Sequence, residues 1–262
     1  FHAVKVKQLS DGSQHIQLSK GNIANQDFVL NWRPELGAAP QSGHFTQQVN
    51  GDEYGLVMLL PPIDTDQITP TQAREVIFVL DTSGSMEGDS IKQAQKALLL
   101  AIEQLTTTDQ FNIIEFNSYA QNLWKSPKTA DAINKKDAKH FVNSLSANGG
   151  TEMETAFKLA FSQPKSDTST TLRQIVFITD GSVGNEESLM QLISNKLENS
   201  RLFTVGIGSA PNSYFMSEAA KMGRGTFTYI GSVDQVQEKM LSLLTKLQHP
   251  AITDIELQLN AS

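Results

Sequence analysis

Cysteine is absent from all 262 residues. Thiol nucleophiles, zinc–thiolate centres and disulfides are therefore excluded together. The compartment stays open, because a chain of this size needs no covalent staple. A run of about 18 apolar residues, enough to cross a bilayer as a helix, is also missing, as is a basic-then-apolar leader. Basic residues are fewer than acidic ones, 21 Lys and Arg against 28 Asp and Glu, for a net charge of -7. That balance offers no basic stripe for phosphates and argues against a nucleic-acid partner. The acid excess sits in the flanks: residues 1–70 hold 4 basic and 7 acidic groups, 71–249 hold 17 and 19, and the last 13 hold 0 and 2. The chain starts at Phe1 and stops inside an apolar alternation, which we read as a piece of a longer protein. Its missing targeting signals then say nothing of the parent.

What is present is ordinary globular composition, 39% apolar and 19% charged, which predicts a folded core. Residues 1–60 read as β-structure, with strands expected at 3–6, 15–18, 27–32 and 54–60 between Gly, Asn, Asp and Pro turn signals. Pro61-Pro62 and the polar stretch to Thr71 form a proline-marked connection, so a β-rich segment is expected over 1–70. From Glu75 the pattern changes. Val76-Ile77-Phe78-Val79-Leu80 is a continuous apolar run, as in a strand buried on both faces of a parallel sheet. Asp89 or Ser90 is expected to cap the next helix, where Ile91, Ala94, Leu98 and Leu105 recur at helical spacing. Further strands are expected at 111–116, 121–124 (a short edge), 173–179, 202–207 and 226–230, with helices at 132–145, 152–161, 186–197, 214–222 and 233–247. Strands alternating with helices predict a doubly wound, mostly parallel α/β domain over 71–249. Residues 250–262, where Ile255, Leu257 and Leu259 alternate with polar residues, are expected to form a strand returning to the β-module.

Ligands of open α/β sheets bind beyond the carboxyl ends of the strands, so the loops there carry the functional signal. Three stand out: Asp81-Thr82-Ser83-Gly84-Ser85, Gly149-Gly150-Thr151, and Asp180-Gly181-Ser182. All offer oxygen only. Two carboxylates and three hydroxyls suit a small hard cation such as Mg2+, with Mn2+ or Ca2+ as alternatives. The alternation in Asp-x-Ser-x-Ser would let an extended loop project its side chains to one side. So few protein ligands would leave an open position for a partner's carboxylate.

Asp81-Thr-Ser83-Gly-Ser85-Met, Gly-Gly-Thr151 and Ile-Thr-Asp180-Gly together resemble the metal-ion-dependent adhesion site of von Willebrand factor type A domains, over roughly 75–247. The resemblance implies that Ser83, Ser85 and Thr151 coordinate directly, and that Asp81 and Asp180 act directly or through waters. It implies a binding module rather than an enzyme, with a protein partner presenting Asp or Glu. In adhesion receptors of that family the metal site can couple to a shift of the last helix, here 233–247. Asp27 to Pro34 and the segment ending Leu59-Leu60-Pro61-Pro62 are similar to the end of the inter-alpha-trypsin-inhibitor (VIT) domain. The stretch from Ile178 to Glu187 is similar to bacterial sortase-target proteins of marine proteobacteria, which implies a cell-envelope location.

Competing readings are weaker in the residues. Asp-x-Ser-x-Ser alone often means caps and turns, Thr151 could cap a helix starting at Glu152, and a metal site could serve only as scaffold for its loops. A phosphatase of the haloacid dehalogenase type also places an aspartate after its first buried strand, but needs a second acid two residues on, where this chain has Ser83. Gly206-Ile-Gly208 lacks the third glycine of a dinucleotide fingerprint, Pro211 standing there, so a tight turn is expected. His2, His15, His44, His140 and His249 are scattered away from the oxygen cluster. Trp32 and Trp124 read as core or interface aromatics, and Lys135, Lys136 and Lys139 as a solvated helix face.

Overall fold

The computed structural model describes residues 4–10, 13–18, 41–60, 74–164, 171–181, 184–208 and 211–248. They belong to two compact units, one within residues 1–68 and one within 69–262. In the first unit, β1 (Val4–Gln8) pairs antiparallel with β2 (Gln14–Leu18). A separate hairpin joins β3 (Gln41–Val49) to β4 (Asp52–Leu60), with Val49 opposite Asp52. Its two-residue turn is Asn50-Gly51, with φ of 56° and 94°, the positive values a type I′ turn requires. The sequence reading missed β3 because Gln41 to Gln48 is mostly polar; the Asn-Gly pair was the available signal. The strand expected at 27–32 and the returning strand of 250–262 lie outside the described residues.

The second unit is a sheet of order β11-β10-β9-β5-β6-β7, with β8 also pairing β6. Its parallel strands are β5 (Arg74–Asp81), β6 (Gln110–Phe116), β9 (Leu172–Thr179), β10 (Arg201–Ile207) and β11 (Phe227–Ile230). The short β7 (Ala120–Asn122) and β8 (Lys128–Thr129) run antiparallel to β6. Among the described residues the α-helices beside this sheet are α1 (Asp89–Gln104), α2 (Ala132–Ser144), α3 (Met153–Phe161), α4 (Glu186–Lys196), α5 (Ser213–Met222) and, after the last strand, α6 (Val236–Gln248).

The unbroken apolar run of β5 has a direct cause. Val76, Phe78 and Leu80 face the core built with α1, α2 and α6, while Ile77 and Val79 face the core built with α3, α4 and α5. A strand with helices on both faces has no solvent side to make polar. On the second face Phe157 stacks on Phe177 at 4.3 Å between ring centroids.

The amino end of the sheet is fastened by buried charge. Arg74 Nε and Nη2 donate to Asp109 Oδ1 and Oδ2 at 2.7 and 3.1 Å, and Arg173 pairs with Glu75. All four side chains are buried, and each carboxylate meets a guanidinium, the condition for keeping such charges inside.

Two expectations about caps are corrected. Neither Asp89 nor Ser90 caps α1: Gly88, at φ 87°, is the N-cap residue, and Asp89 lies inside the first turn, where its charge suits the helix dipole. Thr151 does not cap α3 either, since the N-cap position is Glu152. From β5 the chain moves to β6 on one side and later to β9 on the other, so the strand order reverses between β5 and β9. Open α/β sheets generally bind their ligands beyond the carboxyl ends of the strands at such a point.

Candidate functional site

Asp81 is the last residue of β5, in register with Phe116 of β6. Its side chain is fully buried. Oδ1 accepts the Ser83 N–H at 2.8 Å and Oδ2 accepts the Thr179 hydroxyl at 2.5 Å. The same Thr179 oxygen accepts the Gly181 N–H at 2.9 Å. Burial pushes the Asp81 carboxyl above its ordinary value of 3.8, the hydrogen bonds from Ser83 and Thr179 pull it down, and the charge of Asp180 adds a smaller upward push. Among the described residues no Lys or Arg forms an ion pair with it, unlike Glu75 and Asp109 at the opposite edge.

The loop that follows is not extended throughout. Ser83 is extended, at φ −64° and ψ 164°, but Gly84–Met86 form a 3-10 turn, with the Met86 N–H donating to Ser83 O at 3.0 Å. The turn, rather than strand-like alternation, brings the Ser83 and Ser85 hydroxyls to 3.0 Å from each other. Met86, fully buried in the core with α1, anchors the turn. Ser83 is buried and Ser85 exposed, so the hydroxyl pair runs from the protein interior to its surface.

The Thr151 loop is strapped to this one through backbone. Asn148 N–H donates to Thr82 O at 2.8 Å, and Gly84 N–H to Gly149 O at 3.1 Å. On the far side, Gly150 N–H donates to Ser118 Oγ at 2.8 Å and Glu152 N–H to Asn117 O at 2.7 Å. Gly149 has φ 75°, and a Cβ there would meet Ser118 Oγ at 2.8 Å, so a side chain would pry the straps apart. Asp180 follows β9 directly and is half-buried. Gly181 turns the chain at φ 73°, with room for no Cβ: it would sit 2.9 Å from Asn212 N.

All five predicted residues therefore lie at the carboxyl edge. Asp81 ends β5 and Ser83 and Ser85 lie on the loop that follows, Thr151 sits on a loop bonded to that one, and Asp180 directly follows the neighbouring strand β9. Sequence reasoning missed the residues that position them. Thr82, buried, donates to Glu115 Oε1 at 3.1 Å and accepts from Asn117 Nδ2 at 3.3 Å; Asn117 also reaches Asn148 Oδ1 at 3.2 Å. Glu115 was signalled as a carboxylate inside the apolar run Ile113-Ile114-Glu115-Phe116, whereas Thr179 carried no signal of its own. The described histidines are elsewhere: His15 on β2, His44 on β3 and His140 on α2. Among the described residues no three His, Cys, Asp or Glu side chains converge as a metal cluster. The donor set here is instead two carboxylates with hydroxyls, and its chemistry fits a hard cation.

The fold is a doubly wound α/β domain with an oxygen-rich cluster of loops at the point where its strand order reverses. The chain belongs to the von Willebrand factor type A domain family, whose model matches residues 74–229. It is 30% identical to a von Willebrand factor A domain-containing protein of Dictyostelium discoideum, over 97% of this chain and 27% of that protein. Inter-alpha-trypsin inhibitor heavy chain 4 of Mus musculus is 28% identical over 83% of this chain and 23% of its own length. A von Willebrand factor type A structure from Catenulispora acidiphila shares the fold, at TM-score 0.63 and 23% identity, over 80% of this chain and 47% of that one. The chain spans about a quarter of the length of these curated relatives. Domains of this family typically mediate protein interaction or adhesion, are generally not enzymes, and commonly bind a divalent cation. Among the described residues no helix is long and apolar enough to cross a membrane.

Proposed function

We propose that this chain is a divalent-cation-dependent protein-binding module of the adhesion type, acting at the cell envelope or outside the cell. Asp81, Ser83, Ser85, Thr151 and Asp180 would hold the ion, Mg2+ first and Mn2+ or Ca2+ as substitutes. A bound cation would supply an open coordination position for an Asp or Glu oxygen of a partner protein. The observation that carries this reading is the state of Asp81: a fully buried carboxylate, with no cationic side chain paired to it among the described residues, beside two hydroxyls 3.0 Å apart that lead to the surface. Buried carboxylates are paired or coordinate metals.

The chain's own residues divide the work. The Ser83 N–H and Thr179 hydroxyl fix the orientation of Asp81. The backbone straps from Asn148 and Gly84 hold the Thr151 loop against the Asp81 loop. Calorimetric titration with Mg2+ tests the assignment: the native chain should bind, and Asp81→Ala and Ser85→Ala should lose binding. Ser85 is exposed, so its variant should keep the native circular dichroism. Mg2+ binding unchanged in a folded Ser85→Ala and in Asp81→Ala would refute the assignment.

A further inference from the structure

Two aromatic side chains in the α/β unit are more than half exposed, Tyr119 at 57% and Tyr214 at 75%, and both stand at the carboxyl edge beside the candidate site. Tyr119 lies in the turn after β6, whose residues Asn117 and Ser118 bond the Gly150 and Glu152 N–H groups around Thr151. Tyr214 lies in the first turn of α5, two residues after its N-cap residue Asn212, which packs against Gly181 next to Asp180. Isolated exposed aromatics are common. A pair bracketing a ligand site from opposite sides is a different arrangement, because rigid tyrosines are favoured anchors in protein interfaces.

We propose that Tyr119 and Tyr214 form the two side walls of the partner-binding surface, and that the partner enters as an extended segment with a central Asp or Glu and Lys or Arg two residues to either side. The inference rests on the cation reading above and adds the chemistry of the flanks. Strands β5 and β9 separate β6 from β10, so the two tyrosines follow strands three spacings apart, about 14 Å. In an extended segment residues i−2, i and i+2 point to one side and span about 13 Å. An acid at i directed to the cation thus carries its neighbours at i±2 to the two rings. Carboxylates set the charge those neighbours need. Glu152 is exposed beside Thr151 on the Tyr119 side. On the Tyr214 side Glu186 Oε1 accepts from Asn212 Nδ2 at 2.6 Å, with exposed Glu187 next to it. A cationic side chain laid on a tyrosine face gains from the ring and from these charges; an acidic flank is repelled.

The test is selection of a peptide library, with a fixed central Asp and randomised flanks, on the full 262-residue chain in Mg2+ and in EDTA. Lys and Arg should be enriched at both i±2 positions in Mg2+ only. A selected peptide should bind Tyr119→Ala and Tyr214→Ala about tenfold more weakly, with calorimetric Mg2+ binding unchanged. Acidic or random residues at i±2, or undiminished peptide binding by both tyrosine variants that still bind Mg2+, would overturn the aromatic walls and leave the cation reading standing. A native chain that binds no Mg2+ would overturn the cation reading, and this inference with it.

Discussion

Thr179→Val removes one hydroxyl and keeps the shape of the side chain, so it isolates what that oxygen does. The hydroxyl donates to Asp81 Oδ2 at 2.5 Å and accepts the Gly181 N–H at 2.9 Å, both in the interior. A hydrogen bond to a charged group contributes about 1.5–3 kcal/mol, and a buried donor left without a partner costs about 1–3 kcal/mol. Non-additivity within one small network brings the expected loss to about 2–4 kcal/mol. With a urea slope of about 2 kcal/mol per M, the unfolding midpoint in EDTA should fall by about 1–2 M. Thr179→Ser, which keeps the oxygen and drops a methyl, should lie much nearer the native midpoint. Mg2+ should raise the native midpoint in proportion to its occupancy, and Thr179→Val should show a smaller rise because Asp81 has lost one of its orienting bonds. A Thr179→Val midpoint equal to native, or a Thr179→Ser loss as large as that of the valine variant, would refute the reasoning.

At the opposite edge, Asp109→Ala should cost about 3–5 kcal/mol in denaturant unfolding by stranding the buried Arg74 guanidinium, whereas replacing both partners by apolar residues should cost far less; equal losses would contradict this account. In EDTA the Asp81 carboxyl lies above its ordinary 3.8, chiefly through burial, so the folded chain holds that proton more tightly than the unfolded one. Its contribution to stability is therefore full below pH about 3.8 and is lost as pH rises through the raised folded value. Native stability relative to Asp81→Asn, measured by denaturant unfolding in EDTA, should fall with pH over that window; a difference independent of pH would contradict it.

Much of the α/β unit was legible because its strands are buried on both faces, so β5 and β9 appear as unbroken apolar runs that only a covered parallel sheet accommodates. The first unit was less legible: β3 is composed largely of Gln, Ser, His and Thr, and only Asn50-Gly51 betrays the hairpin. At the site, the motif placed Asp81, Ser83 and Ser85 on one loop, but the physical account attached to it was wrong at one step. The two serines approach through a 3-10 turn, not through the alternation of an extended segment. Thr179 and Thr82 were illegible because their roles depend on register. Leu80 pairs with Ile178 and Asp81 with Phe116, which places Thr179 beside Asp81 and Thr82 beside Asn117. Alternation of apolar residues cannot specify which residue of one strand lies beside which residue of another.

The two ends of the sheet treat buried charge differently, and that contrast is the strongest physical argument for where the chain looks outward. Glu75 and Asp109 are each closed by an arginine from the same unit; Arg173 also donates to the carbonyls of Gln163 and Pro164. Those four charges are closed by one another. At the carboxyl edge, Asp81 is as deeply buried, yet among the described residues it meets the hydroxyls of Ser83 and Thr179 and the Ser83 N–H but no cationic side chain, while a second carboxylate, Asp180, adds like charge. Selection for stability alone would favour asparagine or an arginine partner at such a position. A buried charge left without a countercharge breaks the local rules in the way that functional sites do. A cation would relieve it from outside, and an acidic residue of a partner would complete what the chain leaves open.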